Sequence, residues 1–180
     1  MGAWSQKPFE NDAALDMALE LETARNVREF STRLAKALRN YAKYNERRDK
    51  GENKEVWTAE YVQWMLGHFV APVDPDIENA LRKGIGEEHL DTGSDAAFEA
   101  IGAAAIMLAV CRADTASLRK DVRTPLLDRY RPTRRALEDA VRVLRLIPKN
   151  SELCRDCGSA WKRATAKLAD ELSECIRPVA

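Results

Sequence analysis

Between Ser94 and Cys111 the chain reads SDAAFEAIGAAAIMLAVC, and Asp95 and Glu99 are its only charges. A helix of this composition is apolar almost all round, so neighbours must enclose it on every side. Ala100, Gly102, Ala103, Ala104 and Ala105 are small, which lets those neighbours approach closely. The uncharged run, Ala100 to Cys111, is twelve residues long and too short to span a bilayer. The segment therefore predicts a buried central helix, with the rest of the chain as its covering.

The flanking sequence supplies helices to do this. Asn11 or Asp12 caps a first helix with Leu15, Ala18 and Leu19 on one side. Val27, Phe30, Leu34, Leu38 and Tyr41 recur at spacings of three and four, predicting an amphipathic helix to about Tyr44, with Asn26 breaking the two parts. Asn45 to Glu55 has no apolar residue and one Gly, so 45–56 is expected to be a flexible charged loop open to proteolysis. Thr58 caps a helix with Trp57 and Val62 placed as a hydrophobic staple, followed by Tyr61, Trp64, Met65 and His68. Asp74 and Pro75 open another, which Arg82, Lys83 and Gly84 close.

After the central helix, Thr124-Pro125 predicts a short helix ending near Pro132. Thr133 opens the next, with Leu137, Ala140, Val141 and Leu144 inside, Arg135, Glu138, Arg142 and Arg145 outside, and Pro148 as its stop. Asn150 or Ser151 caps a turn or two ended by Gly158. Ser159 leads a last helix along Trp161, Ala164, Leu168, Leu172, Cys175 and Ile176, ended by Pro178. No stretch alternates convincingly, so no sheet is expected. The reading is all-α: one compact domain over 1–180, a bundle of seven or eight helices.

Composition limits the function classes. Lys plus Arg and Asp plus Glu are 29 each, so the chain is no uniform coat for nucleic acid or anionic membrane. The balance is uneven, however: residues 61–120 hold 5 basic and 9 acidic side chains, and residues 121–180 hold 13 and 9. The first residues lack the basic and apolar regions of a signal peptide. A cytoplasmic protein with four cysteine thiols is expected.

The opening Gly2-Ala3-Trp4, then Pro8-Phe9-Glu10-Asn11-Asp12 and Ala14-Leu15-Asp16, resembles the start of a bacterial family catalogued as domain of unknown function 4259. Its members look like G-(A/T)-W-G-x-G-x-F-(D/E)-N-D-x-A-x-D. Arg135 to Leu144, Asn150-Ser151-Glu152-Leu153, Trp161 and Leu168 are similar to the family's last two helices and its N-S-E-L turn, and the helix around Gly102 to Val110 also fits. The stretch from about 42 to 91 does not align. Ser5 and Lys7 replace two usual glycines. The resemblance implies an all-helical fold and no particular reaction.

Four groups of residues are candidates for function. Trp4 and Phe9 read as anchors of the N-terminus, and Asn11, Asp12 and Asp16 as a cap and first-turn acids; together with Glu10 they could instead form a partner-facing patch. Cys154 and Cys157 form a CxxC, half of a zinc ligand set. Glu87, Glu88, His89 and Asp91 could hold a metal for a carboxylate-type enzyme, although a loop gives them no helical phase. The Arg-rich segment 123–149, with Arg131, Arg134, Arg135, Arg142 and Arg145, could face an anionic partner. Tyr130 is its one aromatic, which leaves little for base stacking. No nucleophile or phosphate-binding motif is present. The sequence thus points to a non-catalytic protein that binds another protein, such as an immunity or antitoxin-like inhibitor with its toxin. It needs no cofactor and no membrane. A metal-dependent enzyme and a nucleic-acid binder are the alternatives.

Overall fold

The computed structural model describes residues 12–67, 73–90, 93–150 and 158–176. Seven α-helices and two short strands lie among them: α1 (Asp12–Glu22), α2 (Val27–Asp49), β1 (Lys54–Val56), α3 (Ala59–Gly67), α4 (Pro75–Lys83), β2 (Glu88–Leu90), α5 (Ser94–Cys111), α6 (Arg134–Asn150) and α7 (Gly158–Ile176). The fold is all-α. It divides into two compact units: residues 1–46 with 92–180, and residues 47–91.

In the larger unit α5 is the central helix. Ala97, Phe98, Ala100, Ala103, Ala104 and Ile106 are all fully buried, and α1, α6 and α7 pack against it. Phe98 meets Trp161 of α7 edge to face, with ring centroids 5.4 Å apart. Phe30 meets Tyr130 in the same way at 5.3 Å. Each such large apolar side chain contributes about 1.5–3 kcal/mol by burial. By length and composition α5 could also cross a membrane; here its apolar faces form the core.

The break between α1 and α2 is made by Asn26. Its side-chain oxygen accepts from the Glu29 N–H at 2.9 Å, while the Glu29 carboxylate accepts from the Arg25 N–H at 3.0 Å. These bonds satisfy donors that the first helical turn leaves open. The Arg25 N–H and the Arg33 guanidinium hold the Glu29 carboxyl below the usual carboxylate range. Thr58, Asp74 and Thr133 cap as expected, accepting from the N–H groups of Tyr61, Asp76 and Ala136.

Several boundaries differ from the sequence reading. Leu19, expected on the inner side of α1, is 52% exposed, and Ala14, Met17 and Leu21 are buried with Ala18. Helix α2 runs five residues past Tyr44, to Asp49. It ends where the Glu52 N–H reaches the Arg47 carbonyl and the Gly51 N–H the Arg48 carbonyl, with Gly51 at φ +73°. That is a Schellman closure, and only a residue that tolerates left-handed backbone serves it well. Residues 54–56, within the expected loop, form β1. It pairs antiparallel with β2 in the register Lys54↔Leu90, Glu55↔His89, Val56↔Glu88, so a two-stranded sheet exists where none was expected. The predicted helix after Thr124 is a turn over 125–129, closed by bonds from the Leu127 N–H to Thr124 and the Tyr130 N–H to Leu126. Pro148 lies inside α6 rather than stopping it. Its ring forgoes one i→i−4 hydrogen bond, to the Leu144 carbonyl, and α6 ends two residues later.

Candidate functional site

The sequence candidates do not converge on one place. Trp4, Phe9, Glu10 and Asn11 lie outside the described residues, as do His68, Asp91, Cys154 and Cys157. Asp12 is the first residue of α1, and Asp16 is exposed on that helix.

In the smaller unit, the described part of the Glu87–Asp91 group is split by strand β2. Neighbours in a strand point to opposite faces. Glu88 turns to Lys54, 2.9 Å away across the strands, and that ammonium holds its carboxyl below the usual range. His89 turns the other way and stacks on Trp57, with ring centroids 3.6 Å apart at 17°. His89 Nε2 donates to the Gly84 carbonyl at 3.0 Å. A Cβ on Gly84 would lie 2.9 Å from that nitrogen, so the glycine that ends α4 is there for space beneath the stack. Trp57 Nε1 donates to Glu55 at 3.2 Å, and the Gly86 N–H donates to the Trp57 carbonyl at 2.9 Å. The arrangement is a packed corner: His89 and Glu88 are engaged on different faces. Among the described residues no three His, Cys, Asp or Glu side chains are grouped to hold a metal ion.

The Arg-rich segment is also divided. Arg131 folds back on its own turn, donating to the carbonyls of Asp128 and Tyr130 at 2.8 and 2.7 Å. Arg134 pairs with Glu138 at 2.9 Å one turn along α6. Arg142 pairs with Asp139 at 2.6 Å, and Arg145 reaches Asp170 of α7 at 4.0 Å and Ser173 at 3.4 Å. Arg135 is exposed and makes no ion pair among the described residues.

Two of these arginines border a groove of about 380 Å³ on the outer side of α6. Val141, Leu146 and Ile176 of α7 make its apolar floor, and Arg142, Arg145, Lys149 and Glu138 its rim. Spacings of three and four from Glu138 to Lys149 put the rim on one face of the helix. Lys149 has no ion-pair partner among the described residues. Val141 is 8% exposed and belongs to the core, as its place in the helical stripe predicts, and Ile176 packs half-buried against that core. Tyr130, the one aromatic available for stacking, is 2% exposed, and burial pushes its hydroxyl up to about 12.

Among the described residues, then, the class is an all-α protein with a shallow, cation-rimmed apolar groove and no assembled metal or nucleophile site. The model of the family described as Domain of unknown function (DUF4259) matches residues 2–83. The match takes in the Gly2–Asp16 motif and continues through 42–83, which the motifs alone did not align. The similarity noted at Arg135–Leu144, Asn150–Leu153, Trp161 and Leu168 lies beyond it. No curated protein and no solved structure matches the chain.

Proposed function

We propose that this chain is a non-catalytic interaction protein, and that the groove on α6 receives an acidic amphipathic helix of a partner protein. The observation that carries the proposal is the pairing of an apolar floor with three cations against one acid on the rim. A helix would lay apolar residues on Val141, Leu146 and Ile176 and direct its acids to Arg142, Arg145 and Lys149. Rim charges of this kind contribute chiefly to association rate and choice of partner. The burial of Tyr130 favours protein over nucleic acid, because base stacking needs an accessible ring. An immunity or antitoxin-like inhibitor is the finer form of this reading, and the uneven distribution of charge supports it.

The test is affinity capture with the intact chain at low and high salt, beside an Arg142→Glu/Arg145→Glu variant. The expected result is capture of an acidic protein at low salt, weakened by salt and abolished by charge reversal, while the variant melts like the parent. Capture that survives charge reversal, or no captured protein at low salt, overturns the proposal. Capture of nucleic acid instead would replace it with the nucleic-acid reading.

A further inference from the structure

The C-terminal ends of α5 and α7 lie side by side. Arg112, just past α5, holds Glu171 of α7 at 3.0 Å and Glu174 at 3.9 Å. At this junction Cys111, the last residue of α5, is the neighbour of Cys175, whose Sγ donates weakly to the Glu171 carbonyl at 3.5 Å. Both thiols are free; Cys111 is exposed and Cys175 half-buried. Partial desolvation where α5 meets α7, followed by the adjacent Cys175, pushes the thiol of the otherwise exposed Cys111 up to about 11.

We propose that Cys111 and Cys175 are a disulfide-forming pair, a redox modification site that staples the end of α5 to the end of α7. Two cysteines 64 positions apart in sequence are brought together on helices already clamped by the Arg112 ion pairs. The Arg112 ion pairs keep the two helix ends adjacent, and the exposure of Cys111 gives an oxidant access. The oxidant is a small disulfide of the glutathione class. One protein thiolate attacks it, forming a mixed disulfide and releasing one small thiol. The second protein thiolate then displaces the other small thiol and closes the protein disulfide. Two thiols are oxidised and one small disulfide is reduced, and the two protein protons end on the two released thiols. The raised Cys111 keeps thiolate scarce at neutral pH, so the site closes slowly and follows sustained exposure rather than brief pulses.

A bridge across so long a loop removes much conformational freedom from the unfolded chain. The experiment treats the intact chain with oxidised glutathione, then maps disulfides by peptide mass spectrometry and measures melting with and without dithiothreitol. Expected are a peptide joining Cys111 to Cys175 with the loss of about 2 Da of one disulfide, and a rise in Tm on the order of 10 °C that dithiothreitol reverses. A Cys154→Ser/Cys157→Ser variant is expected to behave identically, and Cys175→Ser to show neither the linked peptide nor the rise. Stable glutathione adducts on both Cys111 and Cys175, linkage only to Cys154 or Cys157, or no oxidation at either sulfur overturns the proposal.

Discussion

Gly93 lies so close to the Tyr44 ring that a Cβ on it would stand 2.3 Å from Tyr44 Cε1. Gly93 is the residue before α5, with φ +64°, and it is buried. An alanine there meets two penalties: left-handed backbone, about 1 kcal/mol, and a ring with little room to retreat, about 1–3 kcal/mol more. Gly93→Ala is therefore expected to lose about 2–4 kcal/mol in urea unfolding. Gly51 separates the two effects. It has φ +73° with nothing within 4 Å of its Cβ position, so Gly51→Ala is expected to lose only about 1 kcal/mol. Equal losses at the two sites would show that the Tyr44 contact carries no cost.

Glu99 makes stability depend on pH in a defined sense. It projects from α5 and is half-buried, with Asn40 Nδ2 donating to its Oε2 at 3.3 Å. Burial raises its carboxyl above the usual range, with help from Glu20 and Asp95, while Asn40 and Lys36 oppose the shift. The folded chain therefore holds this proton to a higher pH than the unfolded chain does. Between the ordinary carboxylate value and the raised one the folded state binds more protons, so stability falls as pH rises through that window. Glu99→Gln removes the charge and keeps an acceptor for Asn40. It is expected to melt above the parent at neutral pH, with the advantage gone below about pH 4. An advantage that stays constant across that range would assign the effect to packing instead.

Burial and capping were legible in the sequence; what depends on short-range backbone closure was not. The α5 segment announces itself because an apolar helix has nowhere to be except inside. Thr58, Asp74 and Thr133 are readable as caps because each offers a side-chain oxygen at the first open N–H groups, whereas Asn26 reads only as a break and proves to be a cap as well. The last turn of α2 carries Glu46, Arg47, Arg48 and Asp49, with no apolar stripe to reveal it, and its end is set by Gly51. Strands of three residues are too short for alternation to show.

Proximity between distant elements limits what can be read of a site. The CxxC is visible because its cysteines are neighbours in sequence, whereas Cys111 and Cys175 read as two separate apolar positions. The dense Glu87–Glu88–His89 run suggested a ligand cluster, but a strand sends adjacent side chains apart. The arginines of α6 were visible as a charged face. That two of them rim a groove depends on Ile176 arriving from α7.

The smaller unit is expected to open more readily than the larger. Among its described residues Val62 is the one buried large apolar side chain, while Val56, Ile77 and Ile85 are 56%, 50% and 37% exposed. Little apolar burial opposes local unfolding there. Amides of α3 and α4 should exchange with solvent well before those of α5 and α6 in native-state hydrogen exchange. Brief trypsin treatment should cut first at Arg47, Arg48, Lys50 or Lys54, around the turn that follows α2. First cleavage within α6, despite its many arginines, would contradict this ordering.

The small residues of α5 set how closely its neighbours pack, and one pair of substitutions isolates that effect. Ala104 is fully buried, whereas Ala105, the next position round the helix, is half-buried. Leucine suits a helix nearly as well as alanine, so both changes leave backbone preference almost untouched. Three added carbons at position 104 must displace packed side chains, while at 105 they can spread toward the half-open side. Ala104→Leu is expected to lose about 1–3 kcal/mol, and Ala105→Leu less than about 1 kcal/mol, in denaturant unfolding followed by circular dichroism. If Ala104→Leu is as stable as the parent, the space around α5 is larger than its burial implies. Close approach by small residues would then not be what places this helix at the centre.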